Sequence, residues 1–431
     1  MNAKQVEKVD RELGSYLAHF VEGFGRSERR DALRLYMTGL LLDGERKSVV
    51  PMAGRLVDAA SEVEGMRQRL QQAVTIADWR DEEMLERLAV KLDAELPGVE
   101  ALVIDDTGFP KKGEHSVGVQ RQYSGTLGRV DNCQVAVSLH LAGEQGSGMI
   151  AFRMFLPESW SGDAKRREKA GVPDAVSFAT KGEIALAQLD WALAAGVRRH
   201  VVLADAGYGD SGEFRAGLAA RNLRYVVAVN GEPVVWPPGS KPEVMKRTAG
   251  SPGRPRTRYS DEAHPPVALK KLASTLRFRR VSWREGSKGW QAGYFAAVRI
   301  RTAHRHKEGT PPGEEQWLLC QRTDDEKTPY KFWLSNLPLS TSVSSLIRYA
   351  KLRWRIERDY QELKQELGLD HFEGRTWRGF HHHATLCAVA HGFLALRRAL
   401  FPPEAHEVDA SHGAPSAAAS AAAQDRLLPA M

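Results

Sequence analysis

The pattern of apolar and polar positions divides the chain into a helical first part and a mixed second part. Up to about residue 95, apolar residues recur at helical spacing, as in Leu13, Tyr16 and Leu17. A last helical stretch in this part ends at Pro97, a residue that stops helices. From residue 99 onward, short apolar runs replace the helical repeat. The pattern therefore predicts a helical region over residues 1–96, followed by a domain that contains a sheet.

The second part alternates apolar runs with amphipathic segments. The runs typical of buried strands are VEALVIDD, CQVAVSLHLA, GMIAFRMFL, RHVVLAD and RYVVAVN. The helical segments between the later runs are TKGEIALAQLDWALAAG and GEFRAGLAARN. Three strands, a helix, a strand, a helix and a strand predict an α/β fold with helical crossovers. Ribonuclease-H-like nucleases use this order, so we expect a ribonuclease-H-like mixed sheet with flanking helices.

Changes in composition mark the remaining boundaries. Pro, Gly and basic residues crowd the segment after residue 231, and strand-like runs such as GYFAAVRIRTA follow, which indicates a β-rich insertion. A long helix is expected from STSVSSLIRYAKL onward, with Ser340 or Ser342 as its N-cap. The Ala/Ser/Pro-rich C-terminal end is typical of disorder. The predicted boundaries are 97–231 and 331–400 for the α/β domain, 232–330 for the insertion and 401–431 for a disordered tail.

Composition narrows the class of protein. A hydrophobic content of 42% and a charged content of 27% are ordinary for a soluble globular chain. Lys and Arg outnumber Asp and Glu by 61 to 54, and the net charge of +7 suits a polyanionic partner. The three cysteines form no CxxC pair, which indicates a reducing compartment. Because no signal segment or long apolar run is present, the sequence predicts a cytoplasmic protein without a membrane span.

Two predicted strands end in aspartate, Asp105 and Asp106 after ALVI and Asp205 after VVLA. Carboxylates at the carboxyl ends of strands are typical of active sites in α/β sheets. Because side chains alternate along a strand, Asp105 and Asp106 cannot both point into one site. Each aspartate, taken alone, also fits a turn or a helix cap. Two such strands in this order favour a site.

A third acid is expected from the helix after the insertion. Arg353, Glu357, Tyr360 and Lys364 recur at spacings of three and four, so they share one face of a helix. A surface ladder of ion pairs would have the same pattern. Three carboxylates, however, are ligands suited to Mg²⁺ or Mn²⁺, and two such ions can promote phosphodiester displacement. Arginine and lysine on that face would bind phosphate.

These motifs together resemble those of DDE-type insertion-sequence transposases, in the branch with a β-rich insertion before the catalytic glutamate. The resemblance extends over residues 15–400 and is strongest in VIDDTGFPKKGEHSVGVQRQYSGTLGRVDNCQVAVSL, LADAGYGD and LRWRIERDYQELKQELGLDHFEGRTWRGFHHH. It implies a transposase that cuts transposon ends and joins strands, with two Mg²⁺ or Mn²⁺ ions as cofactors. It also implies DNA as the partner and a homo-oligomer that bridges two ends.

The resemblance implies the roles of individual residues. In these transposases the first aspartate directly precedes a threonine, which selects Asp106, and Asp205 matches the second aspartate. Glu357 matches the third acid, and Arg353 and Lys364 match its flanking phosphate-binding residues. A tyrosine also belongs to this signature, but its position is taken by Ala350, while Tyr349 lies one residue earlier. The catalytic and metal-binding set predicted from the resemblance is therefore Asp106, Asp205 and Glu357.

Further residues are candidates for DNA contact. The resemblance implies that the helical N-terminal domain and the insertion contact transposon-end DNA, where Trp283 or Trp290 could stack on a displaced base. Core packing is the alternative role for either tryptophan. A basic cluster in the insertion could bind phosphate or form a solvated loop: Lys246, Arg247, Arg254, Arg256, Arg258, Lys270, Lys271, Arg277, Arg279 and Arg280.

Other chemistries have weaker support. His381, His382 and His383 cannot all bind one ion, because consecutive helical residues point about 100° apart. We therefore interpret them as structural or DNA-facing. No nucleotide-binding phosphate loop is present in the sequence, so ATP is not implied. Two alternatives to a transposase stay open: an inactive or repurposed DNA-binding relative, and a ribonuclease-H-like nuclease that performs no strand transfer.

Overall fold

The computed structural model of the chain describes residues 3–244, 258–284, 289–303, 309–323 and 328–400. The tail predicted for residues 401–431 lies outside these ranges. Four members of the predicted basic cluster also lie outside them: Lys246, Arg247, Arg254 and Arg256. Among the described helices, none is long and apolar enough to cross a lipid bilayer.

The first part of the chain is helical, as the apolar spacing predicts. Its helices are α1 (Ala3–Val21), α2 (Ser27–Leu41), α3 (Val49–Arg55), α4 (Val63–Thr75) and α5 (Asp81–Glu95), with a short 3₁₀ turn at Ala60–Glu62. Their apolar faces are buried; Leu33 and Leu40 of α2 have no exposed surface. These residues belong to the same hydrophobic core as Leu102 of the sheet, so the helices pack on the α/β domain.

The strands of the α/β domain follow the predicted order. They are β1 (Val99–Pro110), β2 (Gln120–Ser124), β3 (Arg129–Gly143), β4 (Ser147–Met154), β5 (Val201–Ala204) and β6 (Tyr225–Val229). The helices between β4 and β6 are α6 (Glu158–Ser161), α7 (Ala164–Ala170), α8 (Lys181–Ala194), α9 (Ala206–Gly209) and α10 (Gly212–Ala220). β3 and β4 are antiparallel neighbours next to β1, while β1, β5 and β6 are parallel. The spatial order β4-β3-β1-β5-β6 confirms the ribonuclease-H-like sheet.

The insertion is rich in strands, as predicted, and it extends the same sheet. Its elements are β7 (Val234–Trp236), β8 (Glu243–Val244), β9 (Tyr259–Ser260), β10 (Val267–Ala268), α11 (Leu269–Ala273), β11 (Arg279–Arg284), β12 (Trp290–Thr302), β13 (Gln316–Arg322) and β14 (Lys331–Ser335). β14 pairs with β6, so the sheet continues through β14, β13, β12, β7 and β10. Between β10 and β11, the segment VALKKLASTLRFRRVSW contains the short helix α11.

The long helix expected after the insertion is interrupted. α12 (Val343–Leu352) begins at the predicted cap, where the Ser342 hydroxyl accepts a hydrogen bond from the backbone N–H of Ser345. A turn at Arg353 and Trp354 separates it from α13 (Arg355–Gln361), and a π-helical turn follows at Glu362–Glu366. The long helix expected here is therefore present as three consecutive helical segments. The last helix, α14 (Trp377–Leu400), lies almost wholly in the core.

Side chains of β1 alternate between two layers that cover the sheet. Leu102 and Ile104 belong to the core that includes α8 and α14. Ala101 and Val103 belong to a second core that includes α12 and α13. Asp105 and Asp106 follow on β1 and continue this alternation, so their side chains face different layers.

Candidate active site

Two carboxylates lie next to each other where β5 ends: Asp205 follows the last residue of β5, and Asp105 lies beside it on β1, which continues to Pro110. These strands are parallel, and their register pairs Ile104 with Ala204. The residues that follow, Asp105 and Asp205, are therefore neighbours. Asp105 continues the alternation of Val103, so its side chain faces the layer of α12 and α13.

Asp105 is largely buried and has a cationic partner. The Arg353 guanidinium donates a hydrogen bond from Nη1 to Oδ2 of Asp105 at 2.8 Å. Burial raises the pKa of Asp105 to about 7; Arg353 opposes this shift and the neighbouring charge of Asp205 adds to it. A carboxyl group with this environment favours a cation close by.

Asp106, the acid that the resemblance selects, has different partners. Its Oδ2 accepts a hydrogen bond from Lys181 Nζ at 2.9 Å, and the Tyr208 hydroxyl approaches the same oxygen at 3.5 Å. Lys181 is the first residue of α8 and Tyr208 belongs to α9. Asp106 therefore ties these two helices to β1, while its neighbour Asp105 contacts Arg353.

Asp205 is held by the turn that it begins. It is the N-cap of α9, and its Oδ1 accepts a hydrogen bond from the backbone N–H of Tyr208 at 3.3 Å. α9 in turn packs tightly on β6, because a Cβ at Gly209 would lie only 1.8 Å from the carbonyl oxygen of Ala228. Only glycine permits this approach, and it fixes the position of Asp205.

Glu357 lies beside Arg353 at the surface. Its Oε1 is 3.6 Å from Nη2 of Arg353, and its side chain is 72% exposed. The same guanidinium therefore contacts both Asp105 and Glu357. The four-residue spacing predicts this proximity of Arg353 and Glu357, and it persists although the chain turns at Arg353.

Lys364 and Tyr360, the other residues predicted to share this helix face, do not lie beside Arg353 and Glu357. Lys364 Nζ donates hydrogen bonds to the Gly108 carbonyl at 2.9 Å and to the Thr126 hydroxyl at 3.1 Å, and burial lowers the pKa of this lysine. The Tyr360 hydroxyl lies 2.6 Å from Ser138 Oγ in the interior. Tyr360 therefore does not share an exposed face with Glu357. Ala350, at the position of the signature tyrosine, is buried in the core.

Asp105, Asp205 and Glu357 are the carboxylates that could hold a divalent ion at this edge of the sheet. Carboxylate oxygens are the ligands that Mg²⁺ and Mn²⁺ prefer, so the donor chemistry fits. Two of the three acids are already adjacent, while Glu357 is turned toward Arg353. In the described part of the chain, no three His, Cys, Asp or Glu side chains converge closely enough to form a complete metal-binding group.

The histidine run is structural. His381, His382 and His383 are 6%, 2% and 1% exposed, so they do not face a surface where DNA could bind. His382 lies between the carbonyls of Val74 and Trp79, and His383 bonds with the hydroxyl of Tyr36. Burial lowers the pKa values of His382 and His383 to about 4.

The two candidate tryptophans differ in exposure. Trp283 is partly buried and packs edge-on against Phe295 with ring centroids 5.4 Å apart. Trp290 is 74% exposed at the start of β12. The described members of the basic cluster are all exposed: Arg258, Lys270, Lys271, Arg277, Arg279 and Arg280.

A buried polar network under α13 was not expected from the sequence. His140 Nδ1 lies 2.6 Å from Oδ2 of Asp359, and the Ser147 hydroxyl donates to Oδ1 of the same carboxylate at 2.5 Å. Asp359 follows Glu357 by two residues, so this network fixes the helix that carries Glu357. The available signal was a histidine inside the apolar run CQVAVSLHLA.

Comparison with known proteins identifies the family of the chain. Residues 19–290 match the model of the DDE superfamily endonucleases, and the chain belongs to this family. It is 31% identical over 204 residues to the probable transposase for insertion sequence element IS701 of Microchaete diplosiphon. That alignment covers 46% of this chain and 48% of the relative, so the chain spans about half the length of the curated relative.

A solved structure with a similar chain is that of piggyBac transposase in a synaptic complex with hairpin DNA. The two chains are 12% identical, with a TM-score of 0.35, and the match covers 88% of this chain and 74% of the other.

Proposed function

We propose that the chain is a DNA transposase that cleaves transposon ends and transfers the strands with divalent metal ions. The observation that carries the proposal is the pair of adjacent acids, Asp105 on β1 and Asp205 after β5, with Arg353 and Glu357 in the layer that Asp105 faces. Membership of the DDE superfamily endonucleases supports the nuclease chemistry. The identity to a probable insertion-sequence transposase supports transposon ends as the substrate.

In this proposal, Asp205, Glu357 and one acid of β1 hold Mg²⁺ or Mn²⁺, as two ions. Bound there, the metal would supply Lewis acidity for displacement at the phosphodiester. Arg353 and Lys364 bind phosphate oxygens, Arg353 through two parallel N–H groups and Lys364 as a point charge. Arg353 already lies beside Asp105 and Glu357, where its charge reduces the repulsion between those acids and the phosphate of the DNA.

The acid of β1 can be assigned in two ways. The resemblance selects Asp106, whereas the contacts favour Asp105, and we assign Asp105. One guanidinium, that of Arg353, contacts both Asp105 and Glu357, so a single cation can lie within reach of both acids. Asp106 is engaged by Lys181 in the other layer, so it would hold α8 to the sheet.

DNA is the proposed partner, with two copies or more of the chain bridging two transposon ends. The N-terminal helices and the insertion are the proposed contact regions. Trp290 is the better candidate for stacking on a displaced base, because it is 74% exposed while Trp283 packs on Phe295. The cytoplasmic, nucleoid-associated location stays a prediction.

The experiment combines metal binding with cleavage. We would titrate Mn²⁺ into the wild-type protein and into Asp105→Asn, Asp106→Asn, Asp205→Asn and Glu357→Gln variants. In parallel, each protein would be tested in Mg²⁺ for cleavage of a labelled duplex that carries the end of its own insertion sequence. Loss of a charged ligand should weaken Mn²⁺ binding by about 10-fold or more, as removal of outer-shell partners already does. The asparagines are matched in size, and each variant's thermal unfolding shows whether it folds.

We expect Asp105→Asn and Asp205→Asn to bind Mn²⁺ at least about 10-fold more weakly and to lose cleavage, while Asp106→Asn binds Mn²⁺ like the wild-type protein. The reverse pattern for the two neighbouring acids would return the assignment to Asp106 and leave the transposase proposal standing. Tight DNA binding without metal binding or cleavage by the wild-type protein would instead favour an inactive DNA-binding relative.

A further inference from the structure

A basic cleft lies beyond the carboxyl end of β1, outside the candidate active site. It has a volume of about 650 Å³ and separates the loop before β2 from α7. Four cations and one carboxylate line it: Arg121, Lys165, Arg166, Lys169 and Glu114. Four positive charges against one negative charge leave the cleft at +3, nearly half of the net charge of the whole chain.

One wall of the cleft is rigid. The guanidinium of Arg166 stacks on the ring of Trp160 at 3.9 Å and donates a hydrogen bond to the Glu114 carbonyl at 3.3 Å. Trp160 is 2% exposed, and its Nε1 donates to the Val119 carbonyl at 2.8 Å. Arg166 is therefore held in place before any ligand binds, which lowers the entropy cost of an ionic contact.

The other cations of the cleft are exposed and available. Within the residues that the structure describes, Lys165 and Lys169 form no ion pair with a carboxylate, while Arg121 lies near enough to Asp131 to contribute to the lowered pKa of that carboxyl group. Neutral donors lie beside them: the Ser159 hydroxyl donates to Gln120 at 2.7 Å, which orients the amide nitrogen of Gln120 away from Ser159. Exposed cations with fixed neutral donors are typical of surfaces that bind backbone phosphate.

The distance to the candidate active site suits one duplex. Asn132 on the cleft wall donates to the carbonyl of Lys111, the residue directly after β1. From Asp105 to the end of β1 at Pro110 the chain advances five residues. At about 3.3 Å per strand residue this is about 17 Å, or about five base pairs at 3.4 Å each.

We propose that this cleft binds the backbone phosphates of the duplex that enters the active site, about five base pairs from the cut. The inference rests on the proposed function, since it takes its substrate from there. It adds a contact region on the α/β domain itself, apart from the N-terminal helices and the insertion. Because the contacts are ionic, they provide affinity without sequence preference.

The test is the salt dependence of DNA binding, measured by fluorescence anisotropy in Ca²⁺ or EDTA. We would compare the wild-type protein with a Lys165→Gln/Lys169→Gln double variant. A matched control, Arg199→Gln/Arg224→Gln, removes the same charge at the amino ends of β5 and β6, away from the carboxyl end of β5 that carries Asp205. Loss of two phosphate contacts should lower the slope of log K against log salt by about 1.8. The control should leave this slope unchanged.

Duplex length locates the contact. With a duplex that extends only about three base pairs past the cut, the double variant should bind like the wild-type protein, whereas a longer duplex should separate them. Equal slopes for the double variant and the wild-type protein on the long duplex would overturn the inference. Cleavage in Mg²⁺ is measured separately. Absence of cleavage by the wild-type protein would count against the proposed function and not against this contact.

Discussion

Gly209→Ala tests the contact through which the sheet fixes Asp205. A Cβ at Gly209 would lie 1.8 Å from the Ala228 carbonyl oxygen, a backbone atom that cannot rotate away. Ordinary contact needs about 3.5 Å, so α9 must move by about 1.5 Å or more. Because Asp205 caps α9 and bonds with the Tyr208 N–H, this movement carries Asp205 away from Asp105.

The expected cost has two parts. Overpacking against a rigid backbone destabilises a fold by about 1–3 kcal/mol, and we expect a value near 3 kcal/mol from urea unfolding. A shift of about 1 Å in a reacting group can lower a rate about 100-fold, so end cleavage should fall by at least that factor. Gly212→Ala on α10 is the control, since its new Cβ would meet nothing closer than Arg215 Nη2 at 3.8 Å. Equal stability and equal cleavage for the two variants would refute the reasoning.

Three further predictions concern the interior and the insertion. Burial lowers the pKa values of His382 and His383 to about 4, so both are neutral in the folded protein. Each therefore contributes about 3 kcal/mol to the free energy of unfolding above pH 6.5, and this contribution is lost as the pH falls toward 4. Urea unfolding at several pH values measures this dependence, and His383→Asn should lose less stability than the wild-type protein as the pH falls. A free energy of unfolding that does not change with pH would contradict the prediction. Asp359→Ala should lower the free energy of unfolding by about 3 kcal/mol, because His140 and Ser147 lose a buried carboxylate partner; a change below about 1 kcal/mol would show that the network is dispensable. Trp290→Ala should leave thermal unfolding unchanged, since the side chain is 74% exposed, but should slow end processing; unchanged processing would remove the base-stacking role.

The sequence predicts the sheet well, because its signals are local. Apolar runs of strand length and the amphipathic segment that became α8 could be identified without knowledge of tertiary contacts. Alternation also predicts that Asp105 and Asp106 face opposite sides. Which side meets α13 is a tertiary property, so the sequence could not choose between the two acids from the residues alone.

Other features depend on packing that no local pattern encodes. The turn at Arg353 and Trp354 contains no Gly or Pro, so helical spacing continued across it and predicted one long helix. The histidine run at 381–383 is polar in composition but buried, because α14 is enclosed by the N-terminal helices and the sheet. Buried histidines of this kind are satisfied by backbone carbonyls and a tyrosine hydroxyl that lie far away in the sequence.

Strand transfer is the measurement that tests the central claim most directly. A duplex of the element's end with a free 3′-hydroxyl would be incubated with a supercoiled target plasmid, Mg²⁺ and either the wild-type protein or Glu357→Gln. We predict end-joined plasmid with the wild-type protein and none with the variant. Plasmid that is cut but never joined to the duplex would indicate a ribonuclease-H-like nuclease. Bound but unreacted DNA in both Mg²⁺ and Mn²⁺ would contradict the account altogether.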